Sequence, residues 1–560
     1  MRQDTSPHPT GGIHESPFGL EWQYWSRPIR HWNETRRNAA DYMAHIHRLF
    51  DTLMTRSSSY SVAIPGAVDE ALLAHLIRRD HQEDLCFATW HPSGGATRKS
   101  ALLHSVILPQ PGERHVHGNA SFETRYFERA VVEAAKVGAG LAFLHSHPGS
   151  GWQDMSTDDI QAEQGHAAAA KGATGLPLLG LTAGNDRSWS ARFWEKTGPS
   201  TYQRRWCSTV RAVGSQLRVT YNDRLMPPPS ASEALRRTVS AWGTSRQASL
   251  ARLRVGIVGA GSVGSIVAEA LARTGFQHVT LIDFDSVEEL NLDRLLHACR
   301  RDARMARSKI EVLGKAIKRS ATATRFQVEM IDRSIVEEDG FKAALDCDVL
   351  FSCVDRPWPR SVLNCVAYAH CIPVIDGGIL VAASKAKGLH AADWRAHIAG
   401  PGRRCLECRE QYDPGLVSTE RDGYFDNPRY IDGLPEDHFI KRNENVFAFS
   451  MSVASFEMLH LLMMVLAPLG VADAGAQMYH FVPGLFDRPN FDPCNPRCPY
   501  SQLLLAKGDN SGIAVTGKHE AAERCRAERA ERQAARPWRL KAMDWLSNRL
   551  DAIAARWEAD

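Results

Sequence analysis

The feature that most constrains this fold is an apolar strand followed directly by a glycine-rich turn. Arg254–Val258 has the composition of a fully buried strand, and Gly259-x-Gly261-x-x-Gly264 follows it and opens a helix. Glycines in this pattern permit a tight turn in which backbone N–H groups and the helix dipole meet a phosphate. Strand and helix then alternate to about residue 380. The sequence therefore predicts an α/β domain with a doubly wound parallel sheet.

Charged side chains downstream of this turn distinguish two kinds of nucleotide. Asp283 ends the next strand, where it would hold a ribose hydroxyl, as in an NAD-dependent oxidoreductase. However, Asn291-Leu292-Asp293-Arg294 comes soon after, Lys309 starts the following helix, and Asp355 ends a later strand. Cations suit a triphosphate, and an acid at a strand end suits the accompanying magnesium. These additions favour ATP over a dinucleotide.

This set resembles the ThiF/MoeB superfamily, the adenylating domain of ubiquitin-activating enzymes, over roughly residues 232–500. The resemblance implies a Rossmann-like fold, ATP and Mg²⁺ as cofactors, and formation of an acyl-adenylate. It implies that the glycine-rich turn consists of Gly259, Gly261 and Gly264, and that Asp283 and Asp285 end the next strand, with Asp283 bound to ribose. It also implies that the phosphates are bound by Asn291, Arg294 and Lys309, and the magnesium ion by Asp355. The family's third glycine is Ser262 here, a small change that the turn should tolerate.

The same resemblance implies a homodimer. Arg237, ahead of Trp242-Gly243, sits where the family has an arginine that reaches the ATP of a neighbouring subunit. Arg236 and Arg246 compete for that role.

A second chemical motif lies upstream, near residue 150. His145 and His147 are one residue apart at a predicted strand end, so both imidazoles point to the same side and suit one metal ion. A carboxylate from the next helix would complete three ligands and leave a position for water, as in catalytic zinc sites. A further carboxylate is needed as general base.

His145-Ser146-His147-Pro148 followed by Ser156-Thr157-Asp158-Asp159 resembles the JAB/JAMM metalloproteases, over roughly residues 60–198. The resemblance implies that His145, His147 and Asp159 bind zinc, and that Ser156 helps to hold the oxyanion. The loop before Ser156 is one residue longer than in the family, which leaves Asp158 as an alternative ligand. Glu83 fits the family's glutamate best, and Asp84 and Glu113 are weaker candidates.

The cysteines give a third signal. Cys405-x-x-Cys408 and Cys494-x-x-x-Cys498 form the ligand set of a closed structural zinc, which the ThiF superfamily often carries here. A thioester-forming enzyme needs a further cysteine over the nucleotide site, and none lies between Cys408 and Cys494. The segment 411–445 looks like a lid or a partner-binding insertion, while Cys365 and Cys371 are expected to be core thiols.

Composition excludes some classes of function. The chain has 560 residues, a formal net charge of +3, 44% apolar and 23% charged residues, as in a soluble globular protein that binds neither nucleic acid nor membrane. Leu459–Ala472, with His460 and Pro468, is expected to be too short to span a bilayer. The polar N-terminus lacks a signal peptide's apolar core, so a cytoplasmic location is expected.

The predicted organisation has five parts. Residues 1–58 are expected to form a disordered segment with a leading helix over His31–Thr55. A JAB/MPN-type α/β metalloprotease-like domain is expected over residues 59–198. A linker that contains Met226-Pro227-Pro228-Pro229 is expected over residues 199–231. The ThiF-type domain with its four-cysteine zinc element spans 232–504, and a charged helical extension 505–560. The extension, which carries Trp538, Trp545 and Trp557, is expected to pack on the chain's own surface rather than dock a partner.

Together the two resemblances, to a type of fusion found in bacteria, imply one pathway. The ThiF-type domain would adenylate the C-terminal glycine of a ubiquitin-like protein, and the zinc site would mature or remove the same modifier. A conjugating enzyme is a further expected partner, and bacterial systems of this organisation are often linked to antiphage defence. The alternatives are activation of a sulfur-carrier protein for cofactor or cysteine synthesis, and a non-catalytic scaffold that binds ubiquitin-like proteins.

Overall fold

The computed structural model describes residues 58–537, except 231, 385–387, 436–437, 439, 442–443 and 489–492, together with 546 and 549. The predicted N-terminal disorder, the helix over His31–Thr55 and the three tryptophans Trp538, Trp545 and Trp557 lie outside the described residues. We call residues 58–230 the N-terminal lobe and residues 232–537 the C-terminal lobe. Both belong to one compact unit that begins at Ser58.

The N-terminal lobe is a mixed sheet with three helices. Its elements are β1 (Ser59–Pro65), α1 (Gly66–Leu76), β2 (Leu85–Gly94), β3 (Arg98–Ile107), β4 (Arg114–His117), β5 (Asn119–Phe122), α2 (Thr124–Lys136), β6 (Gly140–Ser146), α3 (Thr157–Thr174), β7 (Leu178–Ala183), β8 (Trp189–Lys196), β9 (Tyr202–Trp206), β10 (Thr209–Val213) and β11 (Leu217–Tyr221). The nine-stranded sheet has the order β11-β10-β1-β3-β2-β6-β7-β8-β9, and β4 and β5 form a separate hairpin.

The linker predicted for 199–231 is wrong over most of its length. Strands β9, β10 and β11 occupy residues 202–221, and β10 pairs in parallel with β1 at the start of the lobe. Arg211 in β10 has a fully buried side chain, which a solvated spacer would not have. Only the proline-rich segment around Met226 remains as a connection between the lobes.

The C-terminal lobe alternates strands and helices as predicted. Its elements are α4 (Arg236–Trp242), α5 (Thr244–Arg252), β12 (Arg254–Val258), α6 (Ser262–Thr274), β13 (His278–Ile282), α7 (Arg300–Arg304), α8 (Lys309–Ser320), β14 (Gln327–Ile331), α9 (Glu338–Leu345), β15 (Val349–Ser352), α10 (Pro357–Ala369), β16 (Val374–Ser384), β17 (Gly388–Ala399), α11 (Pro414–Arg421), α12 (Pro428–Asp432), α13 (Phe447–Leu466), β18 (Gln477–His480), β19 (Leu485–Asp487), α14 (Pro499–Gln502) and α15 (Glu520–Ala534).

The sheet of this lobe has the order β14-β13-β12-β15-β16-β17-β18-β19. Its first five strands are parallel, and the last three are antiparallel additions. The chain leaves β12 toward β13 on one side and returns to β15 on the other. Ligands in such sheets bind at the carboxyl ends of the strands where the order reverses, so β12 and β15 define the expected crevice.

Helix α13 corrects the prediction for the apolar segment. It runs from Phe447 to Leu466, so it is longer than the predicted stretch and ends before Pro468. Its 20 residues are long and apolar enough to cross a membrane by length and composition alone. It nevertheless packs against α6, β16 and β17, and half of its apolar window is buried there. This is the environment of a core helix in a globular domain.

The C-terminal extension packs on its own chain, as predicted, over its described part. Arg529 in α15 donates two hydrogen bonds of 2.6 Å to Asp332, and its Nη1 donates to the carbonyl oxygen of Phe284 at 3.0 Å. Arg526 forms a bidentate pair with Glu337. Helix α15 thereby lies against the strand end that carries Asp283.

Candidate nucleotide and metal sites

The glycine-rich turn has a geometry that only glycine allows at two of its positions. Gly259 adopts a φ of 96°, and a Cβ atom there would lie 2.4 Å from the carbonyl oxygen of Cys353. A Cβ atom on Gly264 would lie 1.9 Å from the carbonyl oxygen of Gly259. Helix α6 begins directly after Gly261, so its first N–H groups face the crevice at the end of β12.

Asp283 is held against this turn. Its Oδ2 accepts a 2.6 Å hydrogen bond from the N–H of Ala260, and its Oδ1 accepts one of 2.7 Å from the N–H of Asp285. Burial, and then repulsion from Asp285, raise the pKa of Asp283 to about 6. The carboxylate is thus fixed in orientation and able to accept hydrogen bonds from ribose hydroxyls when it is ionised.

Lys309 joins the same cluster from the start of α8. Its Nζ lies 2.7 Å from Asp285 Oδ2, and its N–H donates to the carbonyl oxygen of Asp285. Burial lowers the pKa of Lys309, but the charges of Asp285, Asp283 and Asp355 outweigh burial and raise that pKa above its usual range. Asp355 is exposed just after β15. The structure brings Asp283, Asp285, Lys309 and Asp355 together at the strand-order reversal.

Asn291 and Arg294 make local contacts in this structure. Asn291 Oδ1 accepts a hydrogen bond from the N–H of Glu288, and Arg294 Nη1 donates to the carbonyl oxygen of Leu290 at 2.6 Å. Arg294 also pairs with its exposed neighbour Asp293. To contact phosphates as predicted, both side chains must first leave these local partners. The phosphate contacts therefore stay a prediction.

The three candidate arginines of the dimer prediction lie near the start of the C-terminal lobe. Arg237 is exposed on α4, Arg246 is exposed on α5, and Arg236 pairs with Glu233 at 2.9 Å. Because the predicted role concerns the nucleotide of another subunit, it stays a prediction.

Two histidines and one carboxylate converge at the end of β6. His145 Nε2 lies 3.2 Å from His147 Nε2 and 3.4 Å from Asp159 Oδ1, and His147 Nε2 lies 3.3 Å from Asp159 Oδ2. Burial raises the pKa of Asp159, but hydrogen bonds from both histidines outweigh it and hold the pKa well below its usual range. These residues form one potential metal-binding group.

The spacing of these atoms fits a tetrahedral zinc site. Metal–ligand bonds of about 2.05 Å place the ligand atoms of a tetrahedral ion about 3.3 Å apart. The three observed separations agree with this value. His145 Nδ1 is buried without a hydrogen-bond partner among the described residues, so Nε2 is the nitrogen that faces the cluster. The residues present therefore fit a three-ligand zinc ion.

The sheet register explains why Glu83 reaches this cluster. Leu85 in β2 pairs with His145 in β6 in antiparallel register, so Glu83 falls opposite His147, and its Oε1 lies 4.0 Å from His147 Nε2. The alternatives are engaged elsewhere: buried Asp84 pairs with Arg78 and Arg114, and Glu113 with Arg129.

The first turn of α3 orients Asp159, and not Asp158, toward the histidines. Ser156 caps the helix: its Oγ accepts from the N–H of Asp159, and its own N–H donates to Asp159 Oδ2 at 2.7 Å. This capping box turns Asp159 toward the histidines, while Asp158 is exposed.

The four cysteines meet between α10 and α14. The Sγ atoms of Cys405 and Cys498 are 3.7 Å apart, and the N–H of Cys405 donates to Cys494 Sγ at 3.1 Å. The ligand atoms of this set, which includes Cys408, lie within 4.8 Å of one another. Zinc–sulfur bonds of about 2.3 Å imply sulfur separations of about 3.8 Å, so this set fits a structural zinc.

Comparisons with known proteins bear on the C-terminal lobe. The family model of the ThiF family matches residues 234–472. "Adenylyltransferase and sulfurtransferase UBA4" of Yarrowia lipolytica is 32% identical over 169 residues, which are 30% of this chain and 40% of that protein. "Molybdopterin-synthase adenylyltransferase" of Escherichia coli is 31% identical over 137 residues, 24% of this chain and 52% of that protein. The C-terminal part of this chain is therefore similar to the ThiF family and to these adenylyltransferases.

Other relatives are more distant. The Escherichia coli "tRNA threonylcarbamoyladenosine dehydratase" is 27% identical over 185 residues, 33% of this chain and 68% of that protein. A crystal structure of E. coli MccB with MccA-N7isoASN is 17% identical, covers 49% of this chain and 75% of that chain, and has a TM-score of 0.38, which is too low to support a conclusion. The chain spans about half or less of the length of the two adenylyltransferases.

Several residues around the ThiF-type site were missed from sequence. Ser308, directly before Lys309, has a buried Oγ without a hydrogen-bond partner among the described residues. Its place as the N-cap of α8 could have identified it from sequence. Asn445, at the end of the predicted lid segment, donates from Nδ2 to Ser262 Oγ at 3.0 Å. In the N-terminal lobe, Thr182 Oγ1 lies 3.3 Å from His145 Nε2. These contacts join residues far apart in sequence, so spacing alone could not reveal them.

Proposed function

We propose that the ThiF-type domain binds ATP with Mg²⁺ and adenylates the C-terminal carboxylate of a small glycine-ended protein, either ubiquitin-like or a sulfur carrier. This proposal rests on one observation: Asp283 is hydrogen-bonded to the turn that begins at Gly259, and Lys309 forms an ion pair with the adjacent Asp285. A dinucleotide dehydrogenase has no triphosphate and so no need for the lysine.

The chemistry follows from the charges. Asp283 orients the ribose, and the N–H groups at the start of α6 receive phosphate oxygens. Lys309 offsets the charge that builds on the phosphates, and Asp355 would hold the magnesium ion. The carboxylate oxygen of the substrate attacks the α-phosphorus, the bond to the bridging oxygen breaks, and pyrophosphate leaves. The products are an acyl-adenylate and pyrophosphate.

Exchange of radiolabelled pyrophosphate into ATP tests this function. Wild-type protein should exchange only when a glycine-ended ubiquitin-like or sulfur-carrier protein is added. Asp355→Ala should lower the exchange rate by at least about 100-fold, because charge at the α-phosphoryl group is then poorly stabilised. The matched control is Asp339→Ala, which removes an exposed acid of the same domain. No exchange with any candidate protein, despite ATP binding, would count against adenylation.

We further propose that the N-terminal lobe is a zinc-dependent amide hydrolase that processes or removes the same modifier. The support is the convergence of His145, His147 and Asp159, which fits three zinc ligands, with Glu83 beside them. A bound zinc ion would supply a Lewis acid that lowers the pKa of a water molecule toward neutrality. Glu83 is positioned to accept the proton of that water and to return it to the leaving amine. The Ser156 hydroxyl would donate to the carbonyl oxygen of the scissile bond.

Neither Cys365 nor Cys371 is suited to form a thioester on this chain. Cys365 and Cys371 are buried, and burial raises the pKa of both thiols to about 12. A thiol of this kind is a poor nucleophile at neutral pH. We therefore propose that the acyl-adenylate passes to a separate acceptor, either a conjugating enzyme or a sulfur donor. Products formed with each class of acceptor would distinguish the ubiquitin-like route from the sulfur-carrier route.

A further inference from the structure

A buried charged cluster that the proposed reaction does not use lies one strand away from the nucleotide site. Asp376 on β16 is fully buried and pairs in register with Ser352 at the end of β15. Its Oδ1 accepts from Ser352 Oγ at 2.7 Å and from Arg360 Nε at 3.2 Å, and its Oδ2 accepts from Arg395 Nη1 at 2.8 Å. Two guanidinium groups thus share one carboxylate.

A second carboxyl group, that of Glu457, lies close to this cluster. Burial, and then repulsion from Asp376, raise the pKa of Glu457 well above its usual range, which disfavours its charged form. Its Oε1 is buried and has no hydrogen-bond partner among the described residues. Burial raises the pKa of Asp376 as well, but Arg360 and Arg395 outweigh it, and this carboxyl group is ionised. Arg360 and Arg395 therefore both rely on the single carboxylate of Asp376.

Two partly buried guanidinium groups that share one carboxylate would be stabilised further by a second anion. Arg360 and Arg395 are each still partly open, with 14% and 19% of their side chains exposed. Asp376 engages only part of each guanidinium group, and a guanidinium fork is suited to bidentate contact with a carboxylate. The open donors of Arg360 and Arg395 leave room for contact with one further carboxylate.

The position of the cluster defines where that carboxylate comes from. Neighbouring strands lie about 4.8 Å apart, so Asp376 is roughly one strand spacing from the end of β15, which Asp355 follows. An extended chain advances about 3.3 Å per residue. We infer that Arg360 and Arg395 bind the acidic side chain of a residue one or two positions before the C-terminal glycine of the protein substrate. This inference rests on the proposed adenylation and names a specificity element for it.

Direct binding of short peptides tests the inference. Full-length protein with a non-hydrolysable ATP analogue and Mg²⁺ would be titrated into fluorescein-labelled heptapeptides ending in glycine. In one pair of peptides, the residue directly before the C-terminal glycine is either glutamate or glutamine. In a second pair, the same exchange is made two positions before that glycine. We expect about tenfold tighter binding of the glutamate peptide in at least one pair, since a charge-assisted bidentate contact is gained.

Variants separate recognition from folding. Arg395→Met should abolish the preference for glutamate, and Arg395→Lys should retain part of it. Asp376 keeps Ser352 and Arg360 as partners in both. Arg319→Met, at an exposed position on α8, is the matched control and should leave the preference intact.

Equal binding of both members of each pair, or binding of none, would overturn the inference, and so would tighter binding of free glutarate than of any peptide. Affinity for the ATP analogue is measured in the same samples. Normal ATP-analogue binding without a preference for glutamate would count against the inference alone, whereas loss of ATP-analogue binding would also count against the proposed adenylation.

Discussion

Arg98 in the N-terminal lobe donates a 2.6 Å hydrogen bond to Asp348 in the C-terminal lobe, and both side chains are almost completely buried. Asp348 stands directly before β15, where its Oδ2 also accepts from the N–H of Arg254 at 3.0 Å. A second guanidinium group, that of Arg211, lies 3.6 Å away. Around this ion pair, the hydrophobic core is continuous between the lobes, with Ala63, Leu102, Val213, Leu253 and Phe351 in one cluster. The two candidate sites therefore belong to one folding unit.

Removal of this ion pair should destabilise both lobes together. Arg98→Met leaves Asp348 buried with only partial compensation, which should lower the free energy of unfolding by about 3 kcal/mol. Chemical denaturation followed by circular dichroism and by tryptophan fluorescence measures the effect. Lys99→Met, next in sequence and exposed, should change it by less than about 0.5 kcal/mol. Two separate transitions in the wild type would contradict the single folding unit.

Metal content should distinguish the two candidate zinc sites. Purified wild-type protein should contain about two zinc ions per chain, one in each tetrahedral set. Asp159→Asn should weaken zinc at the histidine site by at least about tenfold in competition with a chelator, because a charged ligand is lost. Its sequence neighbour Asp158, which is exposed, provides the control variant Asp158→Asn. Equal loss of zinc in both variants would refute the assignment of Asp159.

Nucleoside affinity should depend on pH through Asp283. Its pKa of about 6 means that the carboxylate is mostly protonated at pH 5 and mostly ionised at pH 7. Only the ionised form accepts hydrogen bonds from both ribose hydroxyls, so adenosine should bind several-fold more tightly at pH 7 than at pH 5. Adenosine is the suitable probe because it has no phosphate that titrates in this range. In Asp283→Asn the affinity should be weaker and independent of pH, and a wild type without pH dependence would contradict the role.

Helix α15 should stabilise the segment at residues 283–285 that forms part of the candidate nucleotide site. Arg529 ties α15 to Asp332 and to the carbonyl oxygens of Phe284 and Asp285, which flank the ribose-binding position. Arg529→Met should therefore weaken ATP binding by about three- to tenfold and lower Tm by a few degrees. Arg532→Met, on an exposed position of the same helix, serves as the control. Unchanged ATP affinity in Arg529→Met would show that α15 acts on stability alone.

The sequence predicted the elements whose signals are local. The turn at Gly259 follows a run of apolar residues that pack into a buried strand, and glycine at positions 259 and 264 is required by backbone contacts within a few residues and with the adjacent strand. The pairs Cys405–Cys408 and His145–His147 were evident because metal ligands must be close in space, and short spacing in sequence achieves that. The helix cap at Ser156 likewise depends on residues three positions apart.

Tertiary structure alone decided the features that depend on distant partners. The segment 202–221 is polar enough to suggest a linker, yet its strands are stabilised by pairing with β8 and β1, which lie elsewhere in the chain. The resemblance already favoured Glu83 over Asp84, and the sheet register between β2 and β6 gives the physical reason why Glu83 lies beside His147. The pairing of Arg98 with Asp348 spans 250 residues. Long-range burial, rather than local propensity, joined the two lobes and positioned their sites.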